Sequence, residues 1–162
     1  MITRAILWPT RWVWLLVLLS LVSLAVPNLF AGDIKVELQL VWGTNEEKSP
    51  DPKYKPVDPA VVKRLASLKW KRYFQVNSQV VTIPSRKMQR VKLSPQCEVE
   101  ITEMEGPQVE VKVYGRTAQA AAKNEPFKWV HKHLEKLAKD DLLVIAGDDK
   151  NDCAWAIVIK RL

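Results

Sequence analysis

The chain has 162 residues, 48% of them hydrophobic, with 25 Lys and Arg against 18 Asp and Glu and a net charge of +7. Such a balance describes an ordinary globular domain and excludes collagen-like, low-complexity and disulfide-dense classes. A mild basic surplus favours anionic surfaces through long-range attraction, without defining a site.

The first thirty-odd residues differ from all that follow. Met1–Arg11 carries Arg4 and Arg11 and no acid, Trp12–Val26 ("WVWLLVLLSLVSLAV") is apolar apart from two serines, and Pro27 then interrupts the run before Ala31. A basic lead, a short apolar stretch and a small-residue exit are the pattern of a secretory signal peptide, so residues 1–31 are expected to be a leader and 32–162 a single β-rich domain. The apolar run of 15 residues falls short of the roughly 20 that a membrane-crossing helix needs, which disfavours the alternative of a retained anchor. Cutting after Ala31 leaves 131 residues and removes Arg4 and Arg11, lowering the net charge to +5. The expected location is the periplasm or the extracellular space. Membrane contact is then expected only through the N-terminal segment, and nucleic acid is not an expected partner.

Past the leader, Ile34–Trp42 ("IKVELQLVW") alternates apolar and polar residues, the signature of a half-buried strand. The stretch Gly43–Val57 is rich in Pro, Asp, Lys and Ser and has no apolar rhythm. A loop of that length in a compact domain is often functional, so Trp42, Asn45 and Tyr54 are candidate contact residues. Asp58-Pro59 then opens a helix over about 58–68: Asp58 can accept the first free amide hydrogens and Pro59 suits the first helical position.

From Trp70 onward the pattern is β. "WKRYFQV", "QVVTIP" and "RKMQRVKLS" read as successive strands, with Trp70 and Phe74 expected in the core. "CEVEITEM" and "QVEVKVY" form a predicted hairpin around Glu105-Gly106-Pro107, with Ile101 opposite Val111 and Glu100 opposite Lys112 as an attractive pair. "LLVIA" and "AWAIVI" are apolar without alternation, which places them inside with cover on both faces.

Both histidines lie in Phe127–Leu137, "FKWVHKHLEKL". On a helix His131 and His133 would stand about 200° apart and share nothing. On a strand they would point the same way, beside Phe127 and Trp129. The local pattern, with Phe127, Val130, Leu134, Leu137 and Ala138 on one helical face, slightly favours the helix, while the β surroundings favour the strand, which is the expectation adopted. Even so, the chain has no third histidine and no CxxC spacing, so these are expected to be surface or rim residues and not metal ligands. Asp148, Asp149 and Asp152 lack the spacing of a calcium loop and read as a solvated turn. "KWKRYF" interleaves bases with aromatics, but a strand with a basic outer face explains it.

Cys97 and Cys153 each begin a strand. In an oxidising compartment they are a candidate disulfide, if their Cα atoms lie within about 4.4–6.8 Å; two buried inert thiols are the other reading. No GxSxG, spaced Cys/His pair or phosphate-binding glycine loop is present, so no catalytic residue, cofactor or metal is expected.

The segments "VELQLVWGTN", "FQVN", "VKLSPQCEVEI" and "AWAIVIKRL" together resemble an uncharacterised group of small exported bacterial proteins with a WGTN-type segment after the first strand. The resemblance spans nearly the whole chain after the leader and implies a compact, mostly β domain outside the cytoplasm. Its motifs carry no assigned chemistry, so it implies no functional residue.

The expected architecture is thus an antiparallel sandwich or partly open barrel of about seven or eight strands with one short helix. The expected function is a non-catalytic envelope module that binds a protein or an anionic surface. An enzyme whose site assembles only in the fold, and an uncleaved anchored structural protein, are the alternatives.

Overall fold

A computed structural model describes residues 32–104, 106–147 and 153–162, with the side chain of Cys153 excepted. The expected leader and the Asp148, Asp149 and Asp152 turn lie outside the described residues.

Among the described residues, nine strands and two short helices follow in the order β1 (Ile34–Thr44), β2 (Lys55–Pro56), α1 (Pro59–Leu65), β3 (Arg72–Ile83), β4 (Met88–Lys92), β5 (Cys97–Glu103), β6 (Gln108–Gly115), α2 (Ala118–Ala122), β7 (Lys128–Lys136), β8 (Leu142–Ala146) and β9 (Cys153–Arg161). They form two antiparallel sheets, one in the order β2-β3-β1-β9-β8 and one in the order β4-β5-β6-β7. The architecture is a sandwich, with no closed barrel among the described residues.

Alternation in β1 sorts its residues onto two faces. Ile34, Val36, Leu38 and Leu40 meet Val99, Ile101, Val111 and their neighbours from the second sheet in the main core. Val41 points the other way, where Ala154, Ala156 and Val158 of β9 pack under Val57, Val61 and Leu65. The five-stranded sheet is therefore covered twice, by the second sheet and by α1. That double cover is why β8 and β9 lack alternation, as expected for strands apolar on both faces.

Helix α1 begins as its first residues dictate: the Asp58 carboxylate accepts from the Ala60 amide at 2.8 Å, and Pro59 is the first helical residue. It ends at Leu65, short of the expected 68, because the chain turns to bring Trp70 and Tyr73 beneath it; the Tyr73 hydroxyl donates to the Leu65 carbonyl at 2.9 Å. Burial pushes the Tyr73 phenol above its usual value, slightly opposed by a backbone hydrogen bond at Trp70.

Several sequence expectations need correction. The segments at 70–76 and 79–84 are one twelve-residue strand, β3, in which a shift opposite Leu40 and Val41 absorbs an extra residue. Trp70 is buried as expected, but it precedes the strand, and Tyr73 takes the inward place while Phe74 is half-buried. The "TAQAAA" segment forms a second helix, α2, capped by the Thr117 hydroxyl, which accepts from the Ala120 amide at 3.1 Å. The 43–57 stretch is not wholly a loop, since β1 runs to Thr44 and Lys55–Pro56 adds to the sheet edge as β2.

The β5–β6 hairpin has the expected register, with Ile101 opposite Val111 and Glu100 opposite Lys112. Gly106 adopts φ +77° at the turn, a conformation that favours glycine. Phe127–Leu137 is resolved as a strand: β7 pairs with β6 and forms one edge of its sheet.

Candidate functional site

The main core does not extend to both ends of the sandwich. At the end where β1 finishes and β5 begins, the two sheets leave a cleft of about 990 Å³. Its wall on the five-stranded sheet is aromatic. Trp42 of β1 lies opposite Trp155 of β9 and Phe74 of β3, and Tyr54 joins Trp42 and Trp155 in the lining. The opposite wall includes Cys97, Val113 and Val130, with the Ser94–Gln96 and Arg116–Pro126 segments at its rim.

Two local features hold this opening. A Cβ on Gly147 would lie 2.4 Å from the Trp155 ring, so only glycine lets the indole lie flat there. Arg116 ties the rim together: its guanidinium donates to the carbonyls of Pro95 at 2.7 Å and Glu125 at 2.5 Å, and it stacks over the Phe127 ring at 4.2 Å. An arginine so engaged acts as a brace rather than as a free anion receptor.

The sequence-nominated residues separate. Trp42, Tyr54 and Cys97 come together at the cleft, although they lie on three different segments. Asn45 does not join them; its side-chain oxygen accepts from the Lys71 amide at 3.3 Å and fixes the loop to the start of β3. Cys97 is half-buried and has no disulfide partner among the described side chains. Burial, with a smaller contribution from Glu98, pushes that thiol up to about 11, so near neutral pH it is a protonated, weak nucleophile. The side chain of Cys153 lies outside the described residues, and the disulfide stays a sequence-level candidate.

Sequence reasoning missed Trp155 and Arg116. Trp155 was legible only as part of a buried run, and nothing local distinguishes a core tryptophan from one that faces a gap. The rim needs α2 and the chain around Glu125 to be placed, and neither has a pattern of its own.

His131 and His133 sit on exposed β7 with ring centroids 6.1 Å apart, and His133 lies 3.3 Å from Glu135. Trp129 does not share their side. A shift opposite Val113 and Tyr114 pairs Trp129 with Tyr114, on the outer face of the sheet. Among the described residues no group of three or more His, Cys, Asp or Glu is placed to hold a metal ion.

That outer face carries charge in place of apolar cover. One cross-strand row runs Arg90, Glu100, Lys112, Lys132 through all four strands. The expected attraction between Glu100 and Lys112 exists only at longer range. Glu100 instead pairs directly with Arg90 and accepts from the Tyr114 hydroxyl at 2.9 Å, while Lys112 bonds Glu110 at 2.9 Å. Burial acts to raise the Glu100 carboxyl, but the Arg90 and Tyr114 hydrogen bonds and the nearby positive charges outweigh it and hold it below the usual value. Glu110, bonded by Lys132 at 2.5 Å and by Lys112, is likewise held low by those hydrogen bonds.

A second, polar cavity of about 550 Å³ lies between α1 and the outward side of the five-stranded sheet, lined by residues that include Glu37, Gln39, Arg64, Asp140 and Lys160. Its mixed charges select for no one ligand sign. No family model, no curated protein and no solved structure matches the chain, so no residue role is carried to either cavity from elsewhere.

Proposed function

We propose that this chain is a non-catalytic binding module that works outside the cytoplasm, and that the cleft of Trp42, Tyr54 and Trp155 receives an apolar segment of a partner protein. The observation that carries the reading is the cleft itself: about 990 Å³ of space faced by Trp42 and Trp155 of the five-stranded sheet and by Tyr54, which precedes β2. Tryptophan and tyrosine in concave sites contribute large contact areas with few rotatable bonds, which is why they dominate binding hot spots. A protonated thiol and a braced arginine give the cleft shape without a reacting group, which favours recognition over catalysis. Export rests on the leader pattern of residues 1–31, and the intact mass of the mature chain tests it: a terminus at Gly32 is expected.

The binding test compares wild type with Tyr54→Ala and Trp155→Ala in capture from an envelope extract, followed by direct titration of the captured protein. Each truncation is expected to weaken binding by roughly 30-fold, the size typical of an aromatic hot spot of about 2 kcal/mol. The same affinity in both variants overturns the assignment of the cleft. Deleting Asn45–Lys55, which removes Tyr54, should match the single Tyr54 variant if the rest of the loop contributes little.

A further inference from the structure

Apart from the cleft, the least satisfied part of the fold is β7. It is nine residues long, it is the last strand of its sheet, and its residues are exposed or half-exposed throughout. Trp129 is 62% exposed, Leu134 50% and Val130 46%. An edge of this length with exposed apolar side chains is a template for another strand.

The register says which backbone groups are on offer. The Leu137 amide donates to the Pro107 carbonyl at 2.8 Å, one residue past the pair Gln108 and Lys136. Because bonded and non-bonded pairs alternate along an antiparallel ladder, His131, His133 and Glu135 bond to β6. The N–H and C=O groups of Lys132, Leu134 and Lys136 then point away from the sheet; the Lys136 N–H already donates to the Glu135 carboxylate at 3.2 Å, so the amides on offer are those of Lys132 and Leu134.

Charge says what would pair there. Across the outer face the row runs positive, negative, positive, positive through Arg90, Glu100, Lys112 and Lys132. Glu110 is shared by Lys112 and Lys132. Among the described residues, the side-chain ammonium groups of Lys128 and Lys136 form no ion pair with an acid. A second copy of this chain is disfavoured: in the antiparallel register of longest overlap, Lys132 would face Lys132 and Lys128 would face Lys136. Like charges directly opposite on paired strands are destabilising.

We propose that β7 is a docking edge for an extended acidic segment of a partner protein, which adds to the sheet as a fifth antiparallel strand. Its carboxylates lie opposite Lys132 and Lys136, and its apolar residues lie beside Leu134 and Trp129 on the outer face. Main-chain bonds supply the attachment and the alternating acids supply the selectivity, as in other strand-addition complexes. This surface is distinct from the aromatic wall of the cleft, and its test can fail while the reading of the cleft stands.

The experiment uses a nine-residue peptide with Glu and Val alternating on one face and Thr on the other, and a counterpart with Lys in place of Glu. Titration at low salt is expected to show the acidic peptide binding at least about tenfold more tightly, a preference that shrinks as salt screens the pairs. Amide hydrogen exchange should slow at Lys132 and Leu134 in the complex. Leu134→Pro deletes one outward N–H where an edge strand tolerates proline, so the fold should persist while binding falls about tenfold or more. Leu134→Thr, which keeps the N–H, should retain more binding than Leu134→Pro, and Trp155→Ala should bind the peptide as wild type does. Equal binding of the two peptides, unchanged exchange at the Lys132 and Leu134 amides, or full binding by a folded Leu134→Pro variant each overturns the proposal. So does protection of the same amides by self-association in the absence of peptide.

Discussion

Strands β1 and β7 are built from similar material and meet opposite fates. Each interleaves apolar with polar residues, yet Leu38 of β1 is 0% exposed and Leu134 of β7 is 50% exposed. β1 lies between β3 and β9, with one face on the second sheet and the other under α1. Among the described residues, β7 has a neighbouring strand on one side only. Alternation therefore states which residues share a face, and position in the sheet decides whether that face meets a core, a cleft or solvent.

The largest test of this contrast is Leu38→Ala. Cutting back a fully enclosed leucine should cost about 2–5 kcal/mol, through lost transfer energy and the residual cavity, measured by denaturant unfolding. A loss below 1 kcal/mol there would mean that the β1 core is far looser than its burial indicates.

Glu103, at the end of β5, comes next. It is 3% exposed, and one carboxylate oxygen accepts from the Arg86 amide at 2.8 Å and the Ser85 hydroxyl at 3.1 Å. Glu103→Ala strands those donors, and a loss of about 1–3 kcal/mol is expected. Arg86 itself sits at φ 56°, so the carboxylate also secures a turn in the left-handed region.

Asp58→Ala removes the α1 cap and should cost about 1 kcal/mol. The same change to Asn should restore most of it, because the amide oxygen can accept the same hydrogen bond.

A smaller effect appears as pH dependence on the charged face. Glu100 and Glu110 both have depressed folded values. Their contribution is therefore complete above the ordinary carboxylate value and is lost as pH falls through their lower folded values. Unfolding curves from pH 6 down to 3 should show stability declining in the acid part of that range. The Glu100→Gln, Glu110→Gln double variant should show a shallower decline, and an identical slope in the two proteins would assign the acid sensitivity to other carboxylates.

Smallest of all, Leu134→Ala should change stability by less than about 0.5 kcal/mol, the usual range for a surface position. If it cost as much as Leu38→Ala, β7 would be buried in the working protein by something that binds it.

Much of the architecture was legible beforehand. Period-two alternation placed the β5–β6 hairpin in its correct register, because a one-residue slip would turn Val99, Ile101, Val111 and Val113 to water. Asp58-Pro59 marked the start of α1 through local hydrogen bonding and a preset φ. The unbroken apolar runs of β8 and β9 signalled cover on both faces. The cleft was only half legible. Trp42 and Tyr54 stood out as aromatics beside a polar stretch, while Asn45 looked equivalent and turned out to be a brace for Lys71.

Local chemistry alone thus determined the strand-rich character, the start of α1 and the sidedness of each strand, since these depend on residues within a few positions of one another. Only the tertiary structure decided that the polypeptide makes two sheets of five and four strands, that Trp155 faces a gap, that Glu100 pairs with Arg90 and that β7 stands at an edge. Those outcomes depend on which distant segments become neighbours, and a side chain's own pattern carries no record of what lies across the space in front of it.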